Sequence, residues 1–91
     1  MSRITIRQPH DKTHDEVVEI LKEVEETLVT RFKLSTQWRG DTVVFTRSGL
    51  NGELRMEPDS VVISMKLGRM LGLFARQIQT ELESSLATKL A

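Results

Sequence analysis

The sequence predicts an α+β fold in which two helices cover one face of an antiparallel sheet, in the order β-α-β-β-β-β-α. Apolar residues recur at helical spacing in one segment near the N-terminus and in another at the C-terminal end. Between them, apolar and polar residues alternate along short runs separated by turn signals. Because both helices must bury their apolar stripes on the same sheet face, the predicted architecture is a two-layer sandwich.

The first strand and the first helix are predicted in the N-terminal third of the chain. Residues 3–7 alternate in polarity as a half-buried strand does, and Pro9 ends the run. Thr13 and Glu16 have the spacing of a capping box, which predicts a helix from about residue 13 to residue 33. Its apolar stripe consists of Val17, Leu21, Val24, Leu28 and Phe32.

Three short turns are predicted to join the four strands that follow: Gly40-Asp41, Asn51-Gly52 and Pro58-Asp59. Each turn places the apolar residues of its two strands on the same side. The opposite side is polar, so we expect a sheet that is covered on one face and exposed to solvent on the other. The covered face is formed by Trp38, Val43, Phe45, Leu54, Met56, Val61, Ile63, Met65 and Leu67.

The last segment predicts a helix from about residue 69 to residue 90, which contains the apolar stretch MLGLFA at residues 70–75. Met70 and Leu73 fall outside the stripe that the sheet would bury, and Gly72 between them would permit close approach of another backbone. The predicted buried stripe is Leu71, Phe74, Ala75, Ile78, Leu82 and Leu86.

Length and composition predict one domain, residues 1–91, that is soluble and cytoplasmic. Thirteen basic and thirteen acidic residues cancel, which argues against a general polyanion binder. The absence of cysteine excludes disulfides and thiolate metal sites. No signal peptide is recognisable at the start, and no apolar run approaches the roughly 18 residues of a membrane span.

Catalytic and metal chemistry find little support in the sequence. His10 and His14 are four residues apart, but Pro9 and the Thr13 cap place His10 before the helix, so the spacing does not put both rings on one helical face. No serine lies in a nucleophile-elbow pattern, and no carboxylate pair suggests acid–base catalysis. We therefore predict no enzyme activity, no catalytic residue, no metal and no cofactor.

The sequence contains two charged segments or surfaces that are candidate binding sites. The acidic run at residues 15–26 is more typical of a solvated helix face than of a docking face. The exposed sheet face is predicted to carry five basic residues, but sheets that bind nucleic acid usually present stacking aromatics, and here Trp38 and Phe45 belong to the covered face. Nucleic-acid binding is therefore not expected. The five basic residues are Arg3, Arg7, Arg39, Arg55 and Lys66.

Two interaction hypotheses remain open. The apolar start of the C-terminal helix predicts a contact with a partner, and a second copy of the chain (a homodimer) is the simplest partner. Alternatively, a pocket between the helices and the sheet holds a small apolar ligand. The residues of the partner contact are Met70, Leu71, Leu73 and Phe74, and those of the pocket are Trp38, Phe45 and Met65.

Short motifs along nearly the whole chain resemble one bacterial family. They are the opening ITIRQPH from Ile4, WRGD from Trp38, FTRSGLNG from Phe45 and LGRMLG from Leu67, with Ile78 and Leu82 towards the end. The chain resembles the small bacterial proteins of the "putative polyhydroxyalkanoic acid system protein" family.

The resemblance implies a cytoplasmic protein linked to polyhydroxyalkanoate storage, and it brings no catalytic residues. It adds a granule-coat protein or the polymer surface as possible partners of the MLGLFA stretch at storage granules.

Overall fold

The computed structural model describes residues 2–91, which form five strands and three helices. In chain order these are β1 (Ser2–Pro9), α1 (His14–Phe32), β2 (Ser35–Arg39), β3 (Thr42–Arg47), β4 (Leu50–Glu57), β5 (Ser60–Leu67), α2 (Arg69–Gly72) and α3 (Ala75–Lys89).

The five strands form a single antiparallel sheet in the order β1-β5-β4-β3-β2. The last four strands are consecutive hairpins, and β1 joins the sheet at the edge beside β5. Helix α1 then carries the chain across one face to β2 at the opposite edge. The predicted α+β fold class, with its antiparallel sheet and its helices on one face, is confirmed.

The core lies between that face and the two long helices. Alternate strand positions are buried, as in Ile4, Phe45 and Ile63, while their neighbours along each strand are more exposed. The sheet residues pack in one cluster with α1, through Val17, Leu21, Val24 and Leu28, and with α3, through Ile78, Leu82 and Leu86. These helical positions agree with the predicted stripes.

Both ends of α1 agree with the sequence. The Thr13 hydroxyl accepts a hydrogen bond from the Glu16 amide at 3.2 Å, and the Glu16 carboxylate accepts one from the Thr13 amide at 3.0 Å, which completes the capping box. At the C-terminal end, Lys33 adopts a left-handed conformation with φ of 59° and the buried Leu34 follows.

Two of the three predicted hairpin turns are confirmed and one is wrong. Arg39 pairs with Thr42 around Gly40-Asp41, and Glu57 pairs with Ser60 around Pro58-Asp59. The middle turn is formed by Ser48-Gly49, not by Asn51-Gly52, and Gly49 supplies the positive φ of 83°.

The displaced turn leaves the prediction of the covered face intact. A two-residue turn at either place pairs odd-numbered with even-numbered residues, so Leu54 stays on the buried side. Only its cross-strand partner changes, from Gly49 in the predicted register to Val43 in the structure. Gly52 lies inside β4, opposite Phe45 and Met65, where a Cβ atom would lie 2.5 Å from the Ser64 carbonyl oxygen and 2.6 Å from the Met65 Cβ. The absent side chain lets the two strands approach there.

The C-terminal helix is divided, which the sequence did not predict. Helix α2 ends at Gly72, and the Leu73 and Phe74 amides donate to the carbonyls of Met70 and Leu71, three residues back. Phe74 has φ of −106° and ψ of 11°, so the backbone changes direction before α3 begins. A continuous helix would have placed Phe74 on the buried stripe, but the break exposes it, and the prediction that it is buried is wrong.

Replacing Gly52 with alanine is expected to lower the free energy of unfolding by about 1–3 kcal/mol, because the new methyl overlaps backbone atoms of β5. Urea unfolding followed by circular dichroism measures the change. Gly68→Ala is the control, because its Cβ would lie at an ordinary 3.5 Å from Gly49. Gly68 is the N-cap residue of α2, and alanine is less favourable there, so this variant should lose only about 0.5 kcal/mol of unfolding free energy. Equal losses in the two variants would contradict the close approach at Gly52.

The capping box is expected to weaken in acid. Hydrogen bonds from the Thr13 amide and hydroxyl hold the pKa of the Glu16 carboxyl below its ordinary value, and Lys12 adds a small effect in the same direction. Because the folded pKa is lowered, this stabilisation is fully present above the unfolded pKa of about 4.3 and is lost as the pH falls through the folded value.

Glu16→Gln keeps an acceptor oxygen but removes the titration. The difference in unfolding free energy between the native protein and this variant should therefore shrink as the pH falls from neutrality to about 3. Urea unfolding at a series of pH values measures this difference. A difference that stays constant over the range would show that the Glu16 charge contributes nothing to the cap.

Candidate functional site

Three large apolar side chains lie on the surface around α2. Met70 is 82% exposed, Leu73 is 84% exposed and Phe74 is 53% exposed. We call these three residues the apolar patch. Single exposed apolar residues are common on protein surfaces, but three within five consecutive residues form a local concentration of the kind that marks contact sites.

The end of the sheet holds the apolar patch in place. The Gly68 amide donates to the Gly49 carbonyl at 2.7 Å, which ties the start of α2 to the β3–β4 turn. Leu71 faces inward, where it packs against the core and lies next to Gly49. Ala75, at the start of α3, also packs against the core. The two inward residues thus fix the backbone from which the patch projects.

The predicted partner-contact residues are therefore adjacent but not equivalent. Met70, Leu73 and Phe74 are exposed, whereas Leu71 is partly buried and fixes the segment to the core. The exposure of Phe74 could not be read from its spacing, because it depends on the helix break. Contact of this segment with a partner stays a prediction.

The predicted ligand-pocket residues lie at the helix-covered face. Phe45 and Met65 are fully buried members of the core, and Trp38 packs against it from β2. The Trp38 indole N–H donates to Glu25 Oε1 at 3.1 Å, and the Thr36 hydroxyl donates to the other oxygen of that carboxylate. A ligand at this position would have to displace these packed side chains, and its binding stays a prediction.

Glu25 is a residue whose role sequence reasoning missed. Its place in an acidic run suggested a solvated position, but it is partly buried and bonds α1 to β2. Two features of the sequence could have indicated this role. Glu25 follows Val24, which belongs to the buried stripe of α1, and a half-buried tryptophan such as Trp38 needs a hydrogen-bond acceptor for its indole N–H.

The two histidines lie at the opposite end of the sheet from the apolar patch. His14 Nε2 is 3.0 Å from Asp41 Oδ1, and His10 Nδ1 accepts a hydrogen bond from the Lys12 amide at 3.1 Å. Both rings line a cleft of about 260 Å³ with Val17, Met56 and other residues. Across residues 2–91, no group of three or more potential ligands is placed to hold a metal ion.

Ion pairs neutralise much of the exposed sheet face at this histidine end. Arg7 Nη1 is 3.1 Å from Glu57 Oε1, and Arg55 lies 3.6 Å from both Glu53 and Glu57. Ser60, whose side chain is buried, donates to the same Glu57 carboxylate at 3.2 Å. The carboxylates therefore compensate two of the five arginine and lysine residues that the sequence placed on this face.

Neither α1 nor α3, nor the short α2, has the length and apolar character needed to cross a membrane. Fold and surface together define a small α+β sandwich domain whose distinguishing feature is the exposed apolar patch beside the sheet end. The chain belongs to the family described as "putative polyhydroxyalkanoic acid system protein", whose model matches residues 4–90. No curated protein and no solved structure matches the chain.

The apolar patch is expected to contribute little to folding. Leu73→Ala should change the free energy of unfolding by about 0.5 kcal/mol or less, because the side chain is already in water. The same substitution at Leu86, which is 0% exposed, should cost about 2–5 kcal/mol. Urea unfolding of both variants measures the contrast, and a large loss at Leu73 would mean that its side chain packs within the fold.

Proposed function

We propose that this protein is a non-catalytic accessory protein of polyhydroxyalkanoate storage that binds the surface of the storage granule, in the cytoplasm, through the apolar patch. The observation that carries the proposal is the exposure of Met70, Leu73 and Phe74 on a segment that Leu71 fixes to the core. Membership of the polyhydroxyalkanoic acid system family supports the granule as the surface concerned.

The energetics favour a broad hydrophobic surface as the partner. Burying one large apolar side chain is worth about 1.5–3 kcal/mol, so three can give useful affinity when they enter an apolar layer. A stable protein–protein interface generally buries about 800 Å² on each partner, which is more than three side chains on a short turn can supply. The patch is therefore better suited to inserting into a granule surface than to forming a dimer by itself.

A non-catalytic role is part of the proposal. Within residues 2–91, neither histidine is hydrogen-bonded to a serine or threonine hydroxyl, and the Ser60 hydroxyl is bonded to Glu57. The Glu57 carboxylate is in turn paired with Arg7, an arrangement that stabilises the β4–β5 turn. These contacts are the ones expected of structural hydroxyl and imidazole groups.

The first test is sedimentation of the protein with purified polyhydroxyalkanoate granules. The native protein should sediment with them, and the double variant Met70→Ser/Leu73→Ser should lose about tenfold or more in affinity for each residue replaced. Val29→Ser is the matched control, because Val29 is an exposed apolar residue of α1, 42% exposed, outside the patch. Equal sedimentation of all three proteins would refute the proposal.

Self-association is separated from granule binding by light scattering on the native protein and on Leu73→Asp. The proposal expects the same solution mass for both proteins, with reduced granule binding by the variant. A native dimer that becomes a folded monomer on substitution would show that the patch serves a second copy of the chain, and the proposal would then fail.

A further inference from the structure

The basic residues are distributed unevenly along the molecule. The sheet register places Arg3 beside Lys66, one residue before the end of β5 from which α2 continues. Arg47 lies at the same end of β3, and its guanidinium donates to the Phe32 carbonyl at 2.8 Å, next to Lys33. Arg69 at the start of α2 and Arg76 in the first turn of α3 lie on either side of the apolar patch in the chain and add two more basic residues. The resulting basic end consists of Arg3, Lys33, Arg47, Lys66, Arg69 and Arg76.

All six residues of the basic end are exposed, and none of them forms an ion pair within residues 2–91. The carboxylate in the next row of the sheet, Glu53, is paired with Arg55 at 3.6 Å. The helix carboxylates Glu23 and Glu81 are paired with Lys89 and Arg31. The positive charge around the apolar patch is thus not compensated by the protein itself.

We propose that the basic end and the apolar patch together bind a layer of anionic phospholipid head groups. The inference rests on the proposed function, because it uses the same patch, and it specifies the chemistry of the surface that is bound. The apolar side chains would enter the acyl region, and the surrounding arginine and lysine side chains would meet the lipid phosphates. A surface with apolar groups alone would leave the six charges without a partner.

The charge also argues against a second copy as the occupant. A two-fold dimer brings the same surface of both chains together, so it would place one basic end against the other. Like charges in contact destabilise an association. An anionic layer instead attracts arginine and lysine side chains that lie close to its surface.

The test uses the native full chain and two vesicle compositions, phosphatidylcholine alone and phosphatidylcholine with phosphatidylglycerol. Binding measured by co-sedimentation should be stronger on the anionic vesicles. It should weaken at about 1 M salt, where the Debye length is about 3 Å. Arg69→Gln and Arg76→Gln should each reduce affinity about fivefold, which is the equivalent of about 1 kcal/mol per charge.

Arg39→Gln is the matched control, because Arg39 is exposed and forms no ion pair with any residue that the structure describes, and it lies at the far end of β2 beside the Gly40-Asp41 turn. It should bind anionic vesicles as the native protein does. Equal binding to the two compositions, or equal losses in Arg39→Gln and Arg69→Gln, would overturn the inference. So would binding of a nucleic-acid duplex that phosphatidylglycerol vesicles fail to displace.

Failure of this inference can be distinguished from failure of the proposed function. Granule binding that depends on Met70 and Leu73 but is indifferent to Arg69, Arg76 and salt would support the granule role and refute the lipid head groups. Binding to anionic vesicles without binding to granules would support the inference about the surface and refute the granule role.

Discussion

The structure depends on burying one apolar face of the five-stranded sheet beneath α1 and α3. Phe45, Leu54 and Ile63 lie on that face and are almost completely buried, and each such side chain contributes about 1.5–3 kcal/mol relative to exposure. The two helices run antiparallel, with ion pairs from Arg31 to Glu81 and from Lys89 to Glu23 across their outer edge. Their positions follow from the need to cover a surface on which nearly every second strand residue is apolar.

This constraint determines where the unburied apolar residues lie. After β5 the chain must turn back over the sheet to begin α3, and it does so around Gly68, which hydrogen-bonds to Gly49. Leu71 and Ala75 pack against the core during this turn, while Met70, Leu73 and Phe74 are left in solvent. Three large apolar side chains that stay in water do not contribute the several kcal/mol of stabilisation that their burial would give, and binding to an apolar surface can supply it.

Much of this fold follows from local sequence rules. The capping box at Thr13, the turns at Gly40 and Pro58 and the period-two alternation predict the elements and the face that is covered. The middle turn was misplaced because Asn51-Gly52 is a favoured turn pair, whereas Gly52 is needed inside the sheet for close strand approach. The prediction that the MLGLFA segment contains side chains off the buried stripe was correct for Met70 and Leu73. The exposure of Phe74 depends on a helix break that periodicity does not reveal.

The net charge of the sequence does not describe the local charge on the surface of the folded protein. Thirteen basic and thirteen acidic residues cancel in the sequence, and that balance argues against a general polyanion binder. In the fold, many carboxylates lie along α1 and around the turns at the histidine end. The six residues of the basic end lie at the other end, with the apolar patch, and form no ion pair within the described residues 2–91. Positions separated by more than sixty residues in the chain, such as Arg3 and Lys66, become neighbours only through the antiparallel pairing of β1 with β5. An anionic surface would experience this local charge and not the net charge of zero, since interactions beyond about 10 Å are screened at ordinary salt.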